Sequence, residues 1–108
     1  MAFKSKVTSS LGLSGSPSTL TPTITSGQEV VLIGLSFANK ESVNVTVTAS
    51  LVKADTSTAF IVKDATILPG GALVAVGGDQ KLVLEAGDSV VAYSSVANSV
   101  DVILSYLV

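Results

Sequence analysis

The 108 residues suffice for one domain with one modest core, which should bury roughly 65% of the surface that the unfolded chain exposes. Cysteine and histidine are both absent, which excludes a disulfide framework, a thiolate nucleophile, a cysteine-ligated metal and the usual neutral-pH general base. Six basic groups, all lysine, against eight acidic ones leave a net charge of −2 and no positive field for a phosphate backbone, so nucleic acid is not expected as a partner.

From the N-terminus, Phe3 stands between Lys4 and Lys6 and is suited to tether the start of the chain. Residues 9–28 are rich in Ser, Thr, Gly and Pro, the composition of an extended arm or loop. Leu11, Leu13 and Leu20 are spaced along it as anchors, so the arm is expected to dock. It can do so as an edge strand on its own domain or on a neighbouring subunit. Phe3, Leu11, Leu13 and Leu20 are therefore the candidate assembly contacts, and residues 1–28 are set apart as an arm or edge segment from a domain spanning 29–108.

The stretch Glu29 to Asn39 is apolar on both faces over Val30 to Ile33 and alternates through Leu35 and Phe37. That pattern predicts a central strand covered on both sides. A polar turn, Asn39-Lys40-Glu41, leads into residues 42–53, where Val43, Val45, Val47, Ala49 and Leu51 fall on one face and Ser42, Asn44, Thr46, Thr48 and Ser50 on the other. Period two with β-branched residues marks a half-buried antiparallel strand. Short strands follow at Ala59 to Val62, Leu73 to Val76, Lys81 to Leu84 and Val90 to Tyr93. Turns at Ala54 to Ser57, Leu68-Pro69-Gly70-Gly71, Gly77-Gly78-Asp79 and Glu85-Ala86-Gly87-Asp88 separate them. Past Ala97-Asn98, the last strand, Val100 to Leu107, is largely apolar on both faces, as befits a strand that is central or clamped by a partner. Seven or eight short strands with turns between them predict an all-β fold, an antiparallel β-sandwich or jelly roll.

Charged residues make up 13% and mean hydropathy is +0.65, a large apolar excess that something must absorb. No apolar run approaches the roughly 20 residues of a membrane span, and the Ser/Thr-rich stretch after Lys6 is not the apolar core of a secretory signal. What remains is a β core together with contacts to neighbouring subunits. Gly34-Leu35-Ser36-Phe37-Ala38 lacks the second glycine of a nucleophile elbow, and no histidine completes a triad. The carboxylates come singly rather than in a calcium-binding cluster. No catalytic residue, cofactor or metal is expected. Aromatics at 5% without tryptophan leave a receptor- or glycan-binding role poorly supplied with stacking surfaces.

Three segments carry a family resemblance: Phe60-Ile61-Val62-Lys63-Asp64-Ala65, Leu68-Pro69-Gly70-Gly71-Ala72-Leu73, and the run from Gly77-Gly78-Asp79-Gln80-Lys81 through Gly87-Asp88-Ser89-Val90. They resemble small virion proteins of tailed bacteriophages, including those of cyanophages and other marine phages, over residues 29–108. The resemblance implies a structural role in the virion. A capsid decoration (cement) protein on the shell surface is the leading expectation, an oligomer (trimer or dimer) joining neighbouring subunits of the major capsid protein. The alternatives are a neck, collar, baseplate or tail-fibre component contacting other virion proteins, and a receptor- or glycan-binding module.

Overall fold

Period-two alternation decides which side of each strand enters the core, and in this chain it produces two stacked layers. The computed structural model describes residues 2–77 and 81–108. Among them are nine strands and no helix: β1 (Phe3–Thr8), β2 (Ser18–Thr19), β3 (Glu29–Asn39), β4 (Val45–Val52), β5 (Thr58–Ile67), β6 (Ala72–Val76), β7 (Leu82–Glu85), β8 (Ser89–Ser94) and β9 (Val100–Leu107). One sheet, here sheet A, runs β1-β9-β3-β6, with β7 also paired to β3; sheet B runs β2-β8-β4-β5. Every pairing is antiparallel, as the predicted β-sandwich requires.

The core lies between the layers. Sheet A contributes Val30, Leu32, Leu35 and Phe37 from β3, Val76 and Leu84 from β6 and β7, and Val100, Val102, Leu104 and Tyr106 from β9. Sheet B answers with Val45, Val47, Ala49, Ile67, Val90 and Ala92. Phe37, with no exposure at all, is the largest of these side chains and anchors the packing.

Residues 9–28 close one side of the sandwich rather than leaving it. Leu11, Leu20 and Ile24 are buried members of the core cluster. Backbone bonds pin the path: Leu11 N–H donates to the Val100 carbonyl at 2.8 Å, and Leu20 N–H donates to the Val90 carbonyl at 2.8 Å. The segment thus passes from β9 in sheet A to β8 in sheet B. Before it, β1 pairs along β9 from Phe3↔Leu107 to Thr8↔Val102, so the chain start is an edge strand of the same domain.

Several local expectations change. β3 is central within its sheet but covered on only one face, because the sandwich has two layers and no third; Val31 and Ile33 are only half-buried, shaded sideways by neighbouring strands. β4 begins at Val45, and Val43 lies before it, 52% exposed. β5 is much longer than Ala59 to Val62, since its pairing to β4 shifts register on both sides of Ala49, and such bulges erase alternation. Asp64, within the shifted stretch, has φ 49°, and its N–H donates to Thr48 Oγ1 at 3.0 Å. Thr48 is accordingly buried on what was expected to be a solvent face. Of the expected Gly77-Gly78-Asp79 turn, Gly78 and Asp79 lie outside the described residues.

Candidate functional site

The four residues expected as assembly contacts divide. Leu11 and Leu20 are each 1% exposed inside their own sandwich, which corrects their assignment as contacts to another subunit: the core needs them to seal the open side between the sheets. Leu13 sits in a turn, its carbonyl accepting from Ser16 N–H at 2.9 Å, and is 43% exposed. Phe3 is 78% exposed on β1. The structure does not bring the four together.

What it assembles instead is a face. In an antiparallel sheet, paired residues point to the same side, so the register of sheet A defines cross-strand rows on its outer surface. One bulky row runs Phe3, Leu107, Val31, Val83. A second bulky row runs Val7, Ile103, Ser36, Val74. Between them lies a row of Ser5, Ser105 and Gly34, with Ile33, the extra residue of the β3 register shift, next to Gly34; a Cβ built on Gly34 would meet the Ser105 Cβ at 3.6 Å. Phe3, Val7, Val74, Val83 and Ile103 are each more than half exposed. Most of the apolar surplus that the composition implied is collected here.

No charged residue falls in these three rows, and charged pairs stand at both ends. At one end Glu29 and Glu85 pair directly across β3 and β7, a like-charge arrangement that disfavours itself. Lys53 reaches Glu85 at 4.0 Å. At the other end Lys40 Nζ donates to Asp101 Oδ1 at 2.9 Å, and Ser10 N–H donates to the same oxygen at 3.1 Å. These bonds, the lysine's foremost, hold the Asp101 carboxyl below the ordinary aspartate value.

The outer face of sheet B differs in chemistry. Thr46, Thr66 and Thr19 bring hydroxyls to it, and the buried Ser50 shares a row with Val91 and Phe60. Phe60 is 58% exposed, not core-facing, with Lys63 Nζ 5.2 Å from its ring centre. A shallow hollow of about 200 Å³ opens beside β8, lined by Thr19, Thr21, Pro22, Thr23, Ile24, Gly87, Asp88 and Ser89. None of these is aromatic, so nothing in it offers the stacking platform a sugar ring requires.

Asp88 borders that hollow as a structural tie. Its carboxylate accepts from Lys53 Nζ at 2.6 Å, Glu85 N–H at 2.9 Å and Ala54 N–H at 3.0 Å. The lysine bond first, then the backbone donor of Glu85, holds its carboxyl below the ordinary range, and the same bond raises the Lys53 ammonium. The group joins two turns. Among the described residues no group of three or more His, Cys, Asp or Glu side chains could hold a metal, and no buried side-chain nitrogen or oxygen lacks a partner.

Sequence reasoning missed Val7, Val74 and Val83, although signals existed. Leu73 to Val76 and Leu82 to Leu84 are apolar at successive positions, leaving one side chain in two for the outside of a two-layer fold. The doubly apolar last strand had already indicated Ile103. Val7 was invisible because β1 owes its strand conformation to pairing with β9, 94 residues or more away in sequence. No protein-family model matches the chain, and no curated protein matches it.

Proposed function

We propose that this chain is a non-enzymatic assembly module that packs against other protein subunits through the outer face of sheet A. The exposed rows built on Phe3, Val7, Val74, Val83 and Ile103 carry this reading. Contiguous apolar surface of this kind on a small domain marks an interaction site. The resemblance of residues 29–108 to small virion proteins of tailed bacteriophages gives the assembly its setting: a capsid decoration protein joining neighbouring subunits of a shell. A compact sandwich with no histidine, no cysteine and few charges suits a part whose work is adhesion.

Cosedimentation with empty shells tests the proposal. Wild-type chain pelleting at a saturating, fixed ratio to capsid subunits is the expected result, and loss of pelleting in Val83→Lys is the expected control. Failure of the wild-type chain to bind shells over a wide concentration range would overturn the virion placement.

A further inference from the structure

We infer that β1 is an exchangeable strand, which leaves its own β9 and pairs in the same register with β9 of a second copy. This goes beyond the assembly reading above and does not depend on it, because Phe3 and Val7 keep their places in the outer rows and merely come from the neighbour. The first argument is that the core does not hold β1. Its side chains on the outer surface are Phe3, Ser5 and Val7; those on the other side, opposite Tyr106, Leu104 and Val102, are Lys4, Lys6 and Thr8. None of the six is buried, and neither Phe3 nor Val7 belongs to the core cluster or packs against it. Backbone pairing fastens the strand, ending in reciprocal bonds between Ala2 and Val108 at 2.6 and 2.9 Å. A strand held in this way opens locally while the rest of the sandwich stays folded.

The second argument is the hinge. The fixed part of the chain begins at Leu11, 1% exposed and bonded to the Val100 carbonyl. Only Ser9 and Ser10 separate it from β1, and Ser10 has φ 61°, a left-handed conformation that a residue with a Cβ populates about tenfold less readily than its alternatives. A polar latch holds it there: Ser10 N–H donates to Asp101 Oδ1 at 3.1 Å, and Lys40 Nζ donates to that oxygen at 2.9 Å and to Ser10 Oγ at 3.2 Å. A short strained hinge beside a terminal element invites exchange between copies.

The occupant of the vacated edge follows from the pairing itself. Without β1, β9 presents an open ladder, and β1 is the segment that matches it over six residue pairs. Every copy carries both the strand and its socket, the requirement for a closed reciprocal swap. A short tether gives β1 an effective concentration in the mM range. Release of two strained hinges, about tenfold each, lowers the exchange midpoint towards about 10 μM, and the latch bonds given up raise it again towards 1 mM. The dimer is therefore reversible and concentration-dependent.

The chain has no cysteine, so Ser5→Cys/Ser105→Cys places a single thiol pair at facing positions of β1 and β9. Oxidation at about 5 μM to 1 mM, followed by a denaturing, non-reducing gel, separates chains linked within themselves from covalent dimers; Ser5→Cys alone measures chance collisions. Dimer is expected to rise above that background with concentration. Adding Ser10→Pro, which forbids the positive φ, should shift the rise to about tenfold lower concentration. Ser10→Gly, which accepts it, should shift it about tenfold higher. Linkage confined to single chains at every concentration, with Ser10→Pro as without it, overturns the inference; so does a dimer fraction that neither hinge variant moves. Should Ser10→Pro fail to fold, the Ser10→Gly shift decides alone. Exchange in a chain that ignores shells would remove the virion proposal only, and shell binding without exchange would remove only this inference.

Discussion

Truncating Leu11 to alanine separates a core role from a tethering one. The side chain is 1% exposed and belongs to the same cluster as Phe37 and Leu104. Leu→Ala removes three carbon atoms, about 2.4 kcal/mol of transfer free energy at roughly 0.8 per methylene. The cavity left behind adds to this, bringing the loss to about 3 kcal/mol, within the usual 2–5 for buried sites. At an unfolding entropy of about 2.1 cal/mol/K per residue the whole chain has about 0.23 kcal/mol/K, so Tm should fall by about 13 °C. Scanning calorimetry reads this directly. Leu13→Ala, in the same segment but exposed, should change stability by less than about 0.5 kcal/mol. Equal, small effects for the two leucines would mean that residues 9–28 are an appendage after all, and the closure of the sandwich by this segment would have to be abandoned.

Asn39, 2% exposed, donates to the Val43 and Ile67 carbonyls at 2.8 and 3.0 Å and accepts from Glu41 N–H at 2.9 Å; Asn39→Ala should cost about 2–3 kcal/mol in urea unfolding, by orphaning buried backbone groups. Gly87 has φ +86°, and a Cβ there would stand 2.7 Å from the Ala54 Cβ; Gly87→Ala should destabilise by about 1–2 kcal/mol or more, whereas Gly15→Ala, with open space around it, should not. The Asp88 carboxyl is lowered from 3.8, so the unfolded chain binds its proton more readily; the stability it contributes is present above 3.8 and is lost as pH falls through the folded value. Urea titrations should therefore show an acid limb that Asp88→Asn flattens while lowering stability at pH 7. On the exposed edge strand β5, Lys63→Val removes a charge and uncovers Phe60; light scattering at fixed concentration should rise while the melting curve stays in place, and unchanged scattering would count against a protective role.

How much could be read from residues alone varies with the reach of the forces involved. β9 was placed residue for residue, because Val100, Val102, Leu104 and Tyr106 are fixed by alternation and by burial on one side. β5 was cut short at Val62 because Lys63 and Asp64 break the alternation, and only pairing with β4 reveals that the strand resumes. Leu11 and Leu20 were recognised as anchors, but sequence spacing could not say that their pocket was in their own domain, since Val100 and Val90 lie about seventy residues or more away. The face of sheet A was the least legible of all. Its rows exist only through the register that brings Phe3 beside Leu107 and Val31 beside both Leu107 and Val83, a product of topology rather than of any one segment.

The contrast between the edges of the sheets and this face points to the manner of association. Exposed strand edges invite pairing with other chains, and bulges and lysines discourage it. β5 is shifted in register around Ala49 and carries Lys63; β1 carries Lys4 and Lys6 on the side opposite Phe3 and Val7; β2 is two residues long. The outer face of sheet A has no such guard over its three middle rows, where a single lysine in place of Ile103, Val74 or Val83 would have supplied one at little cost to the core, all three being exposed. Association by added strands and association by stacked faces differ in specificity: an edge accepts any extended backbone, whereas a face of ridges and a shallow trough accepts only a surface of matching relief. The edges at β1, β2 and β5 are blunted in these ways, whereas β6 (Ala72–Val76), at the remaining edge, carries no charge.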